Sequence, residues 1–437
     1  MTLVRTSLLN AVAVAIRMVS ALVLNKVLAV SVGPSGFALI GQLQNAVNIL
    51  NTFATAATAQ GITKYTAEYA GDPARLHAFW RTAGTVVLST ALVTAAVTIV
   101  ASPWLADYFL HDRAQGFVFV ILGIGLVLLS VNAFLIAVLQ GLKDVGAYVV
   151  SNIAGSVIGL AFIVGATLAF GIRGALAALA INQSLAVGVT VWLCRRREWF
   201  SWRRFSGALD RRMVVDLSGF VAMAASSAIT GSVAQVAVRS HLIALFGRAR
   251  AGEWEGMMRI SSLYLLFFTS TLAVYFLPRV SEMRRSVDLS AEVLRLFRIM
   301  VPLVVLGSAA IFLTRDLVIR LLFDPAFHGM RDLFAWQMIG DTFKALGWIF
   351  SYTMIGRAMA GWYIGSELLF NAGWVAISFA AIGVAGFSGV GIGYALSYAL
   401  YFAAIVAVFF RLMRTMRRSE FDGAAIGLDA MPQQDTP

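Results

Sequence analysis

The chain has 437 residues, 59% of them hydrophobic and only 13% charged, with a mean hydropathy of +0.82, which excludes a soluble globular protein and requires membrane-crossing segments. One cysteine, Cys194, and four dispersed histidines (His77, His111, His241 and His328) exclude an internal disulfide and predict neither a metal site nor a cofactor. The net charge of +12 would suit nucleic acid, but its distribution assigns it to membrane topology instead and predicts no nucleic-acid partner.

Apolar runs of about twenty residues recur along the chain, whereas a β-barrel would alternate over segments of about ten. They predict an all-α polytopic protein with about twelve transmembrane helices, near 7–30, 37–60, 79–101, 116–139, 147–170, 174–194, 213–246, 253–277, 293–314, 332–355, 362–384 and 389–410. The first run is too long for the apolar part of a signal peptide and lacks a small-residue cleavage site, so it reads as retained. With both termini cytoplasmic, 20 of the 34 Lys and Arg fall in or at the edge of cytoplasmic segments, 7 on the other side and 7 inside spans. That asymmetry orients the chain.

The first span carries Arg17 near its middle, where a cation costs about 2.5–3.5 kcal/mol on insertion scales and so marks a wet path or a partner. Ser7, Asn10, Arg17 and Asn25 share one quadrant of the helical wheel. Lys26, on the opposite face and near the end of the span, reads as snorkelling to the interface. In the second span Asn45, Asn48, Thr52 and Thr55 recur at helical spacing as one polar face. It either lines a cavity or hydrogen-bonds between helices.

Arginines and aromatic residues interleave over 195–212, which predicts a cytoplasmic linker that lies on anionic lipid as an interfacial amphipathic helix. This linker separates an N-lobe, 1–194, from a C-lobe, 213–418, and a polar tail at 419–437 reads as disordered. The halves look like copies. Gly141, Gly146, Tyr148 and Ser151 recur as Gly356, Gly361, Tyr363 and Ser366, all at an offset of 215, and Lys64 and Arg279 share that offset. Six spans per copy keep the same orientation, which predicts two lobes related by a pseudo-twofold along the membrane normal, with a ligand between them.

In the second half Arg239 and Arg259 lie about 10 Å below the outer surface, at 1.5 Å per residue. They either share an anion or snorkel outward. Gln235 is one turn before Arg239, on a stripe with Ser227 and Gly231. Arg295 and Arg298 open the ninth span; Arg298, a turn deeper, is a candidate contact for an anionic headgroup. The tenth span puts Gln337, Asp341, Lys344 and Trp348 on one face. Asp341 and Lys344 form either a structural ion pair or, separately, a protonatable group and a phosphate contact. Glu367 is a second candidate proton site. No P-loop, Ser-His-Asp grouping or long exoplasmic loop is present, which predicts a protein that is not an enzyme. A glycosyltransferase or glycan polymerase would need such a loop.

Several segments resemble Wzx-type flippases, the lipid III and O-antigen translocases of the multidrug/oligosaccharidyl-lipid/polysaccharide exporter superfamily. They are MRDLFAWQMIGDTFK at 330–344, KVLAVSVGPSG at 26–36, GITKY at 61–65 and YFLPRVS at 275–281. The resemblance implies two six-helix lobes around a central cavity in the bacterial inner membrane. The substrate it implies is an oligosaccharide linked through diphosphate to undecaprenol, moved from the cytoplasmic to the periplasmic leaflet by alternating access. It also brings a polysaccharide polymerase and a chain-length regulator into view as partners. A diphosphate needs cationic donors, so Arg17, Arg239, Arg259, Arg298 and Lys344 become candidate diphosphate contacts. Asn10, Asn45, Asn48, Gln235 and Gln337 become cavity-lining groups, and Asp341 and Glu367 coupling groups. The alternative is an ion-coupled exporter of organic cations with the same fold, which would want embedded charge of the opposite sign.

Overall fold

The computed structural model describes residues 3–55, 58–272, 276, 279–280, 283, 286–356 and 359–429, with side chains described mainly between Ala15 and Arg414. In chain order the helices among them are α1 (Leu3–Ala54), α2 (Ala59–Glu68), α3 (Pro73–Val100), α4 (Ser102–Leu110), α5 (Gly116–Gly141), α6 (Val145–Ile181) and α7 (Val187–Arg195). There follow α8 (Arg211–Thr271), α9 (Ser286–Leu313), α10 (Arg315–Leu322), α11 (Phe334–Gly356), α12 (Ala360–Ala385) and α13 (Gly389–Asp429). No strand occurs among the described residues.

Seven described segments are long and apolar enough to cross a membrane. Four of these, of 40, 51, 45 and 51 residues, are about twice the twenty or so that one crossing needs. Each is interrupted by a glycine with positive φ: Gly33, Gly171, Gly247 and Gly386. These four therefore hold two crossings each and the other three one, and α11, kept out of the apolar set by its polar face, supplies the twelfth.

The glycine turns carry the internal repeat into the backbone. Gly33 (φ 63, ψ −176) and Gly247 (φ 82, ψ 171) match in conformation, as do Gly171 (φ 58, ψ −139) and Gly386 (φ 61, ψ −141). Side chains rarely adopt these angles, so glycine is what allows the reversal. A Cβ on Gly174 would strike Ala166 O, and one on Gly389 would strike Ala381 O. Both residues of that contact recur at the offset of 215.

Helix starts follow local chemistry. Asp72 caps α3 by accepting from the amides of Ala74 and Arg75, both at 3.1 Å, with Pro73 at the first helical position. Asp144 caps α6 through Ala147 N at 3.2 Å.

The chain forms two compact units, Met1–Gly256 with Asp316–Arg331, and Met257–Arg315 with Asp332–Pro437. Contact density thus divides the chain inside α8, whereas the repeat divides it at 195–212. A cluster around Trp80, Phe79, Leu135 and Val138 forms one core of the first unit. Phe268, Val293, Ile349, Phe350 and Phe409 centre a core of the second.

The linker differs from the amphipathic helix expected for it. Beyond Arg195 it is irregular apart from a 3-10 turn at Trp202–Arg204. The rings of Trp199 and Phe205 lie 5.6 and 5.9 Å from that of Trp80. Arg204 donates to Trp199 O at 3.0 Å, and Arg197 pairs with Asp144 at 2.8 Å. This packing buries Phe205 over Trp80 and leaves Trp202 and Leu209 exposed. At the other end, α13 continues through 419–429, so helix extends into the segment expected to be disordered.

Candidate functional site

Arg17 lies sixteen residues before the Gly33 turn, about 24 Å from it at 1.5 Å per residue. It is exposed, and Nη2 donates to Asn152 Oδ1 at 2.8 Å. Asn152 is held in turn by its own Nδ2, which donates to Tyr148 O at 2.9 Å. A guanidinium has five donors, and Asn152 is the only partner of Arg17 among the described residues. The side chain of Asn10 lies outside the described residues.

On the second crossing the polar face divides. Asn45 is buried, with Nδ2 unpartnered among the described residues. Asn48 is exposed and, with Gln235 and Ser227 of α8, borders a polar cleft of about 340 Å³ in the first unit.

Arg239 lies eight residues before the turn at Gly247 and Glu255 eight after it. A hairpin brings positions equidistant from its turn to the same depth, here about 12 Å, and the two side chains form a buried ion pair. Gln42 Oε1 accepts from Arg239 at 3.3 Å, Gln42 Nε2 donates to Ser240 at 3.1 Å, and the guanidinium stands 5.3 Å from the Trp254 ring. Gly41 leaves the room for this pair, since a Cβ there would lie 2.6 Å from Glu255 Cδ and 2.8 Å from Arg239 Cζ. Nearer the Gly33 turn Phe37 meets Phe323 and Phe327 edge-on at 5.9 and 5.3 Å. Lys26, expected to snorkel, donates to Phe323 O at 2.8 Å and Arg320 O at 3.3 Å, satisfying carbonyls at the end of α10. These contacts lie within the first unit and join the glycine-turn ends of the helices that carry Gly33 and Gly247.

The anion beside Arg239 is thus the protein's own Glu255. Arg259 is half-buried in the second unit. Arg298 is exposed on α9 and Glu367 half-buried on α12.

In the second unit Asp341 is wholly buried. It accepts from Ser261 Oγ at 2.5 Å and Tyr394 OH at 2.7 Å, while Gln337 Nε2 reaches Ser261 Oγ at 3.0 Å. Lys344 Nζ donates to the same Tyr394 hydroxyl at 3.2 Å and faces the rings of Tyr398, Trp348 and Tyr394 at 5.1, 5.5 and 5.6 Å. The direct Asp341–Lys344 ion pair is not among the described contacts, and Tyr394 stands between the two charges. An i, i+3 spacing brings the side chains close, but α13 supplies the hydroxyl that both prefer.

Sequence reasoning missed Asn152, Glu255 and Tyr394. Glu255 had a signal in its distance from Gly247, equal to that of Arg239. Asn152 had one in the repeat, since it sits 215 residues before Glu367. Tyr394 had none beyond being aromatic.

Residues 3–284 match the polysaccharide biosynthesis protein family. Over 417 residues the chain is 31% identical to the lipid III flippases of Escherichia coli (strain K12) and Shigella flexneri, covering 94% of this chain and 98% of each relative. The chain belongs to the polysaccharide biosynthesis protein family. This polysaccharide biosynthesis protein also shares its fold with a multidrug resistance MATE family transporter of the MOP superfamily in an inward-facing conformation. The TM-score is 0.76 at 16% identity, over 92% of this chain and 96% of that one. The family is thus carried on a multi-pass helical transporter fold, as the span pattern predicts.

Proposed function

We propose that this chain flips an undecaprenyl-diphosphate-linked oligosaccharide, an O-antigen or common-antigen-like repeat, from the cytoplasmic to the periplasmic leaflet of the bacterial inner membrane. Near-full-length similarity to lipid III flippases supports the substrate class, and the lysine and arginine asymmetry supports cytoplasmic termini. The observation that carries the reading is Arg17: an exposed guanidinium deep in the first crossing, with one neutral partner and donors to spare. A diphosphate leaving the headgroup layer needs such charge-assisted donors.

The lipid approaches from the cytoplasmic side, its diphosphate at Arg17 and its prenyl chain left in the bilayer. Access then alternates. Opening outward requires Arg239 to part from Glu255, and a diphosphate arriving there replaces that carboxylate. Arg259 and Arg298 extend the cationic path. Asp341, joined to Lys344 through Tyr394, is the coupling group, with Glu367 as a second. Chemistry on the glycan is left to other proteins, a polymerase and a chain-length regulator among them.

The test is surface glycan in a strain whose own flippase is deleted. The chain should restore it, and Arg17→Ala, inserted at the same level, should not. Restoration by that variant would remove Arg17 from the path.

A further inference from the structure

The polar cleft of the first unit is built by three crossings. The second brings Asn48, Asn51 and Thr52, the sixth Gln183, and the seventh Ser227 and Gln235. No residue lining it carries a charge or an aromatic ring. Its volume of about 340 Å³ is at the small end of ligand sites, about 300–1,000 Å³. That is room for a sugar ring rather than a whole oligosaccharide.

The amides are arranged rather than merely present. Asn51 Nδ2 donates to Gln183 Oε1 at 2.9 Å, which fixes both side chains and leaves Asn51 Oδ1 and Gln183 Nε2 without a partner among the described residues. Asn48 Oδ1 accepts from Gln44 at 3.2 Å, leaving its Nδ2. Gln235 makes no hydrogen bond among the described residues, so a donor and an acceptor remain there too. A set of paired, uncharged donors and acceptors matches sugar hydroxyls, each of which both gives and takes a hydrogen bond. It holds no cationic side chain for an anion and no carboxylate for an organic cation.

The cleft lies at the same depth as the diphosphate station. Counted from the glycine turns at 1.5 Å per residue, Gln235 and Gln183 lie about 18 Å in, Asn48 about 22 Å and Asn51 about 27 Å. Arg17, counted the same way, lies about 24 Å in.

We propose that this cleft is a subsite for the neutral sugar next to the diphosphate of the transported lipid, with Asn48, Asn51, Gln183 and Gln235 as its specificity-determining residues. The proposal rests on the flippase reading and adds a second recognition element to it. Arg17 holds what every lipid diphosphate shares, and the amides read the first sugar.

The experiment measures binding of two probes to the purified chain in nanodiscs: farnesyl diphosphate, and farnesyl diphosphate carrying one neutral hexose. The glycosylated probe should bind more tightly. Gln235→Leu, which breaks no hydrogen bond among the described residues, and Asn51→Ala should each reduce that advantage by about 3- to 10-fold, the equivalent of one or two ordinary hydrogen bonds. Both variants should bind the bare probe as before, which also shows that they are folded. Equal affinities for the two probes, or an advantage untouched in Gln235→Leu, would overturn the sugar subsite while leaving the flippase reading standing. Failure of the native chain to bind either probe would overturn that reading and the subsite with it.

Discussion

Arg17 Nη2 donates to Asn152 Oδ1 at 2.8 Å, joining the first crossing to the fifth. A neutral acceptor holds the guanidinium in place without cancelling its charge, as a site awaiting an anion requires. Arg17→Ala should weaken farnesyl diphosphate binding about 10- to 100-fold, since hydrogen bonds to charged groups are worth about 1.5–3 kcal/mol. Arg17→Lys should keep part of that affinity and lose the forked geometry. Titration of the probe into nanodiscs checks both, and an unchanged Kd for Arg17→Ala contradicts the assignment.

The Arg239–Glu255 pair should behave as a buried ion pair. Glu255→Ala strands the guanidinium and should destabilise the protein by about 3–5 kcal/mol. The double replacement Arg239→Met with Glu255→Leu should regain most of that loss, because well-packed apolar residues can replace such pairs. Thermal unfolding in detergent decides it. A double variant no more stable than Glu255→Ala would mean that the charges themselves hold the two helices together.

Gly41 should tolerate no side chain. Gly41→Ala drives a Cβ against Glu255 and Arg239 and should cost about 1–3 kcal/mol by overpacking. Gly171→Ala and Gly386→Ala should each cost about 1–3 kcal/mol for a different reason, backbone strain at positive φ. Because the two turns share one conformation, these two losses should be equal within error. A large inequality would count against the structural repeat.

Tyr394 bridges Asp341 and Lys344. Tyr394→Phe takes one donor from a buried carboxylate and should lower stability by about 1–3 kcal/mol. If the bridge serves coupling, transport by this variant should slow while the affinity for farnesyl diphosphate stays the same. A change in affinity alone would move Tyr394 from coupling to binding.

Much of this molecule is legible in the sequence because membrane insertion imposes simple rules. The spans follow from hydropathy, and the turn at Gly33 is announced by the glycine and proline of SVGPSG. The position of Arg17 is conspicuous because a cation is costly there. What stays hidden depends on partners far apart in the chain. Asn152 is 135 residues from Arg17, and Tyr394 is 53 from Asp341. Nothing in GEWEG announces that Glu255 and not Glu253 faces Arg239, except a count from a turn whose position only the backbone fixes. The linker's irregular backbone is hidden for another reason, since arginines interleaved with aromatics fit a lipid surface and a protein core equally well. Trp80, on which Trp199 and Phe205 pack, lies on a different helix.

Reconstitution tests lipid transport and the role of Arg17 together. Proteoliposomes holding a fluorescent undecaprenyl-diphosphate-linked oligosaccharide, with the inner-leaflet label followed by a membrane-impermeant quencher, report movement between leaflets. The native chain should move the lipid, and Arg17→Ala, reconstituted at the same density, should not. A lipid that stays in its original leaflet with the native chain, or that moves equally fast with Arg17→Ala, would contradict the claim.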